Sequence, residues 1–208
     1  MKRHHIYFNF YLCMTLLVIA CLPAVAAQDF DYWYDMGFDS MMFGEYEEAV
    51  EYYTKAIEID PTYVFCYDDR GRAYANLGQY DLAIADFEKA IEMDPDYSSP
   101  RNSLAMTYYR MGDYENALES IKVALEIDPT STLYNARADT YRSLGRYDEA
   151  LADIESALWL HGGDDPRWIF TRGLIYRDMG DMDKAKADLE YACTGGIPEA
   201  CAALEELN

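Results

Sequence analysis

Residues 46–63 read YEEAVEYYTKAIEIDPTY, residues 80–97 read YDLAIADFEKAIEMDPDY, and residues 114–131 read YENALESIKVALEIDPTS. Each stretch opens on a tyrosine, spaces its apolar residues at helical intervals and runs into an Asp-Pro step. The prolines of those steps, Pro61, Pro95 and Pro129, stand 34 residues apart. A repeat of this length is one supersecondary unit that cannot bury its own apolar face, so the units must stack and share a continuous core. Function then lies on a surface.

Aligned on those steps, the units run near 30–63, 64–97, 98–130, 131–165 and 166–197. Their eighth position is small: Gly37, Gly71, Ala105, Ala138 and Gly173. Their fifteenth is glycine throughout, Gly44, Gly78, Gly112, Gly145 and Gly180, which suits a left-handed helix C-cap and makes each unit turn in its middle. The twentieth is always alanine (Ala49, Ala83, Ala117, Ala150, Ala185), and so is the twenty-seventh (Ala56, Ala90, Ala124, Ala157, Ala192). Between them the twenty-fourth holds Tyr53, Phe87, Ile121, Ile154 and Leu189, a three- and four-residue spacing that marks helices.

This pattern, which starts at Trp33 and covers almost all of residues 30–197, resembles the tetratricopeptide repeat. The resemblance implies an all-α fold: a right-handed α-α superhelical solenoid of five helix-turn-helix units. Residues 198–207 read as a C-terminal capping helix, with Ala200, Cys201 and Leu204 on one side and Glu199, Glu205 and Glu206 toward water. Unit four departs from the pattern. It lacks the closing proline and inserts His161-Gly162-Gly163-Asp164-Asp165-Pro166. One histidine and two aspartates do not define a metal site, and the stretch reads as a tolerated insertion between stacked units.

Comparison of the units exposes a paired substitution. Units two, four and five carry Arg70, Arg137 and Arg172 at the seventh position and Asp86, Asp153 and Asp188 at the twenty-third; units one and three lack both. Arginine and aspartate that come and go together predict an ion pair between the two helices of a unit, which fixes their register.

The first 27 residues differ in composition from the rest. A basic head (Lys2, Arg3) precedes a mostly apolar stretch from Ile6 to Leu22; Pro23 and the small residues Ala24 to Ala27 follow. These features predict a signal peptide over residues 1–27, cleaved before Gln28, and residues 28–208 as the repeat domain of an extracytoplasmic protein, periplasmic or secreted. A second reading uses Val18-Ile19-Ala20-Cys21, which resembles the box before a lipid-modified cysteine and would tether the chain to the envelope. Membrane contact is expected only through that lipid.

The whole chain carries a formal net charge of −21, and loss of Lys2 and Arg3 leaves 15 basic against 38 acidic side chains, or −23. Nucleic acids and anionic membranes are recognised through Lys and Arg, so neither is an expected partner. The acidic excess steers cationic partners inward, beside its plainer role of solvating outer helix faces.

Little catalytic chemistry is in evidence. Beyond residue 27 the only histidine is His161, too little for a nucleophile–base pair. The glycines follow repeat geometry and not a phosphate loop, and the abundant carboxylates are accounted for by the units. No catalytic residue, cofactor, metal or small-molecule substrate is therefore expected. Cys193 and Cys201 flank a turn before the last helix, with a spacing that resembles a bridge in secreted, cysteine-rich helical-repeat proteins. Two states stay open: a disulfide stapling that helix, or two buried thiols.

The family resemblance also implies that the first helix of each unit lines a concave groove, whose positions in this chain would be occupied by Tyr34 and Phe38 in unit one, Arg72 in unit two, Asn102, Met106 and Arg110 in unit three, Asn135, Asp139 and Arg142 in unit four, and Phe170 and Arg177 in unit five. Asp68 and Asp69 share that face. The Lys and Asn with which chaperone-binding members grip a C-terminal carboxylate are replaced here by Tyr34, Phe38, Asp69, Ser99 and Ser103. The expected partner is a protein or peptide segment of mixed charge, and the expected role a protein-interaction adaptor.

Overall fold

A computed structural model describes residues 29–207. The expected signal peptide and Cys21 lie outside the described residues. Eleven α-helices and no strands are found among them: α1 (Phe30–Phe43), α2 (Tyr46–Ile59), α3 (Val64–Asn76), α4 (Tyr80–Met93), α5 (Ser99–Met111), α6 (Tyr114–Ile127), α7 (Ser131–Ser143), α8 (Tyr147–His161), α9 (Pro166–Met179), α10 (Met182–Thr194) and α11 (Pro198–Glu206). Each odd-numbered helix up to α9 packs against the even-numbered helix that follows it, and each pair packs on the next, so the fold is an all-α solenoid of five hairpins with α11 laid on α10.

Local chemistry sets these boundaries. The mid-unit glycines cap their helices in the left-handed region, with φ of 78° at Gly44 and 80° at Gly112, and the cap N–H of Gly44 reaches back to the carbonyls of Ser40 and Met41. Asp113 accepts from the Asn116 backbone at the start of α6, and Pro166 occupies the first turn of α9, where a missing N–H costs nothing. The inserted stretch of unit four is thereby absorbed: Gly162 closes α8, and Asp165 caps α9 by accepting from Arg167 N at 2.9 Å. Asp165 also meets Arg167 Nη2 at 2.7 Å and His161 Nε2 at 3.1 Å. No group of metal-ligating side chains occurs among the described residues.

All ten alanines at positions twenty and twenty-seven are 0% exposed. They bring each second helix close to its neighbours, and the residue at position twenty-four fills the space left by position eight. An added Cβ on Gly37 would lie 2.7 Å from the Tyr53 ring, and one on Gly71 would lie 2.6 Å from the Phe87 ring. Where position eight is alanine (Ala105, Ala138), position twenty-four is the smaller Ile121 or Ile154. In units one to four volume is therefore traded between the two positions, as close-packed interiors require, while unit five pairs Gly173 with Leu189.

The arginine–aspartate pairs lie inside their hairpins. Arg70 donates from Nε and Nη2 to the two oxygens of Asp86, both at 2.7 Å, and from Nη1 to Thr54 of the preceding unit at 3.1 Å. Arg137 grips Asp153 in the same two-toothed way at 2.7 Å, and Arg172 grips Asp188 at 2.8 Å. Cys193 and Cys201 form a disulfide with a Cα–Cα distance of 4.8 Å, tying α10 to α11. Cys66 is free and buried; burial pushes its thiol up to about 12.

Candidate protein-binding surface

The first helices of the hairpins, α1, α3, α5, α7 and α9, lie side by side and form one continuous surface. Helical periodicity places their second, fifth, ninth and twelfth to thirteenth positions on one face of each helix. Two clefts open there. The larger, of about 400 Å³, lies between α5 and α7 and is walled by Asn102, Met106, Arg110, Asn135 and Asp139 over a floor that includes Ala105 and Ile121. The smaller, of about 160 Å³, lies between α3 and α5; Arg72, Asn76 and Ser103 line it, and Met106 and Arg110 belong to both.

The structure thus gathers Arg72, Asn102, Met106, Arg110, Asn135 and Asp139 around two adjoining clefts. Met106 is 49% exposed, which leaves its thioether and methyl free to adapt to an apolar guest. Arg110 is exposed and makes no hydrogen bond or ion pair among the described residues. Asn135 Oδ1 is buried and likewise lacks a partner. Burial pushes the carboxyl of Asp139 above its usual range, opposed by Arg142, whose Nε lies 3.4 Å away. The walls therefore offer one free cation, a carboxylate poorly compensated for its burial, and two amides, each able to donate and accept.

The remaining expected groove residues have other duties. Tyr34 is half-buried, and its hydroxyl donates to Asp69 Oδ2 at 2.9 Å, joining α1 to α3. Burial, and after it the Asp69 carboxylate, raises the Tyr34 pKa. Asp68 is buried and accepts from Tyr97 Oη at 3.0 Å and Ser99 Oγ at 2.7 Å, joining α3 to the start of α5. Tyr109 and Ser143 share a 3.1 Å hydrogen bond between α5 and α7. Arg142 reaches Asp178 at 2.8 Å, joining α7 to α9, and Arg177 holds the same aspartate at 3.2 Å. Phe170 packs with Leu174 against the core cluster of Leu189, Ala192, Ala200 and Ala203, under the capping helix. Tyr34, Arg142, Arg177 and Phe170, expected to face a partner, are thus already engaged within the chain. For Tyr34 and Arg142 the reason is that consecutive first helices come close enough for their side chains to meet, whereas Arg177 is held by Asp178 beside it on α9 and Phe170 by its packing on α10 and α11. Only Phe38, 53% exposed on α1, stays open at the amino-terminal end of the surface.

Sequence reasoning missed these unit-to-unit links. Their signal is faint but present, since donor and acceptor stand 29 to 36 residues apart, close to one repeat length.

The comparisons with known proteins agree with this architecture. Tetratricopeptide repeat sequence profiles match residues 30–63, 52–85, 69–132, and 131–158 with 169–194. The fold is similar to that of a thermophilic TPR protein of Thermus thermophilus, with 22% identity, 86% of this chain and 98% of that chain covered, and a TM-score of 0.71. It is similar also to a tetratricopeptide repeat protein of Parabacteroides merdae, at 22% identity over 97% of this chain and 78% of that one, TM-score 0.68. Pseudomonas aeruginosa pilF is a third, at 18% identity over 81% and 77%, TM-score 0.70. No match is found among curated proteins. With its repeats matched over most of the described length and its hairpins stacked in series, the chain belongs to the tetratricopeptide repeat family, whose members serve as protein-interaction scaffolds.

Proposed function

We propose that this chain is an exported adaptor that grips an extended, mixed-charge segment of another protein between α3, α5 and α7. The observation that carries the reading is the pair of adjoining clefts with unsatisfied walls. An acidic group of the segment pairs with Arg110 and Arg72. A cationic or hydrogen-bond-donating group meets Asp139, and Asn102 and Asn135 bond the segment's peptide groups. An apolar side chain seated against Met106, Ala105 and Ile121 adds roughly 1.5–3 kcal/mol if fully buried. Export is supported by the basic, apolar and small-residue order of residues 1–27 and by the Cys193–Cys201 bridge, a type of bond that persists in oxidising compartments.

A photo-crosslinking amino acid at Met106 tests the groove against the same probe at Leu82, which is 50% exposed and lines neither cleft. Discrete adducts from Met106 that vanish with Arg110→Glu are expected; equal labelling from both positions sinks the reading. The box at Val18 to Cys21 favours a second form of the same adaptor, tethered to the envelope by a lipid. The mass of the mature amino terminus separates the two, since Gln28 means a soluble chain and a lipid-bearing Cys21 an anchored one.

A further inference from the structure

The twenty-ninth position of units one, two and three is glutamate (Glu58, Glu92, Glu126), an ordinary solvated residue near the end of the second helix. Unit four places Trp159 there, and its side chain is 80% exposed. An indole held in water at a register position that carries a charge in the first three units calls for a cause.

The other two tryptophans are already served. Trp33 stacks on Tyr52 and carries Lys55 Nζ 4.2 Å from its ring centre; Trp168 is 6% exposed, and the Arg167 guanidinium lies 4.7 Å from its ring. Among the described residues, no cation lies over Trp159. One helical turn earlier on α8 stands Glu155, exposed and without an ion pair or hydrogen bond among the described residues. Both border an open cleft of about 540 Å³ completed by Ala152, Ser156 and Leu160 of α8 with Pro129 and Tyr134 across from them. Arg137, whose guanidinium lies 5.4 Å from the ring centre of Tyr134 at the cleft, is committed elsewhere, gripped by Asp153.

An aromatic face, an unpaired carboxylate one turn away and no cation of their own make a site with one component missing. We propose that this cleft binds an arginine side chain of a basic segment of a partner protein, its guanidinium stacked on Trp159 and paired with Glu155. Arginine fits better than lysine because its planar, weakly hydrated head can lie flat on an indole while its fork bonds a carboxylate. The net charge of −21 draws such a segment in. The cleft shares no residue with the two clefts on the first helices, so the proposal stands apart from the adaptor reading.

The test is a titration of the indole N–H resonances of the full chain with a blocked Gly-Arg-Gly peptide and its citrulline counterpart, which keeps the shape and loses the charge. Trp159→Phe identifies the resonance. Because the side chain is largely in water, that variant keeps the fold, which circular dichroism checks. The Trp159 signal is expected to shift saturably with the arginine peptide while those of Trp33 and Trp168 stay still. Glu155→Gln is expected to weaken the effect about fivefold, and citrulline to abolish it. The proposal is overturned if the signal does not move, if citrulline moves it equally, if Glu155→Gln changes nothing, or if all three indoles shift together, as general attraction to an acidic protein would produce.

Discussion

The Tyr34 hydroxyl lies 2.9 Å from Asp69 Oδ2, so the first helix of unit one is fastened to the first helix of unit two through a carboxylate that burial makes costly to ionise. Desolvation raises the Asp69 pKa, and the adjacent Asp68 adds to it; the Tyr34 hydrogen bond and Arg72 pull the other way. A folded pKa above the unfolded one means that the native state binds the proton more tightly. Stability from this group is then fullest below the ordinary aspartate value of about 3.9 and declines as pH rises through the folded value. Asp69→Asn keeps an acceptor for Tyr34 and removes that decline, so urea unfolding at a series of pH values should show the variant gaining on the native chain as pH climbs. Parallel curves would contradict this account. Tyr34→Phe should cost about 1–2 kcal/mol at neutral pH, because it leaves the largely buried carboxylate with only the long 3.5 Å contact from Arg72.

The ion pair within unit four gives a sharper contrast. Side-chain exposure is 21% for Arg137 and 7% for Asp153, so either partner alone is a largely buried, uncompensated charge. Arg137→Met is expected to destabilise by about 3 kcal/mol, whereas the double change Arg137→Met with Asp153→Leu should recover most of that loss. A double variant as unstable as the single would show that the hairpin needs the charges themselves.

Packing between positions eight and twenty-four can be tested by exchanging one solution for another. Gly71→Ala drives a Cβ into the Phe87 ring and should cost about 1–3 kcal/mol. Adding Phe87→Ile reproduces the alanine–isoleucine pairing of Ala105 with Ile121 and should restore part of the stability, as read from thermal melts. Failure of the second change to help would mean that neighbouring hairpins, and not this pair alone, set the space.

The Cys193–Cys201 bridge closes a loop of eight residues' separation. Restriction of the unfolded chain by so short a loop is worth about 2–3 kcal/mol. Cys193→Ser with Cys201→Ser should lower the melting temperature, and added reductant should do the same to the native chain while leaving the variant unmoved. Hydrogen exchange should locate the loss in α11. A uniform rise in exchange from α1 onward would count against a local staple.

Legibility in the sequence followed the range of the interaction. The alanine positions, the capping glycines and the arginine–aspartate pairs recur within a single 34-residue unit, so internal comparison exposed them, and Arg70 and Asp86 are two helical turns either side of one hairpin bend. The surface was harder. Arg72, Asn102, Met106, Arg110, Asn135 and Asp139 do border the clefts, yet of the others placed by the same periodicity Tyr34 and Arg142 are held by neighbours in the next unit, Arg177 by Asp178 beside it and Phe170 under the cap. Helical periodicity says which way a side chain leaves its own helix and nothing of what it meets.

The amino-acid order by itself determined the hairpin, its length and the stacking of five copies, because those follow from apolar spacing and from backbone conformations that glycine and proline enforce locally. Which inner-surface charges remain free was decided only in three dimensions. Whether Asp68 meets Tyr97, Arg142 meets Asp178, or Trp159 stands bare beside Glu155 depends on the ångström-scale offset between successive hairpins. That offset is the sum of many side-chain contacts spread over the stack, and no single stretch of chain contains it.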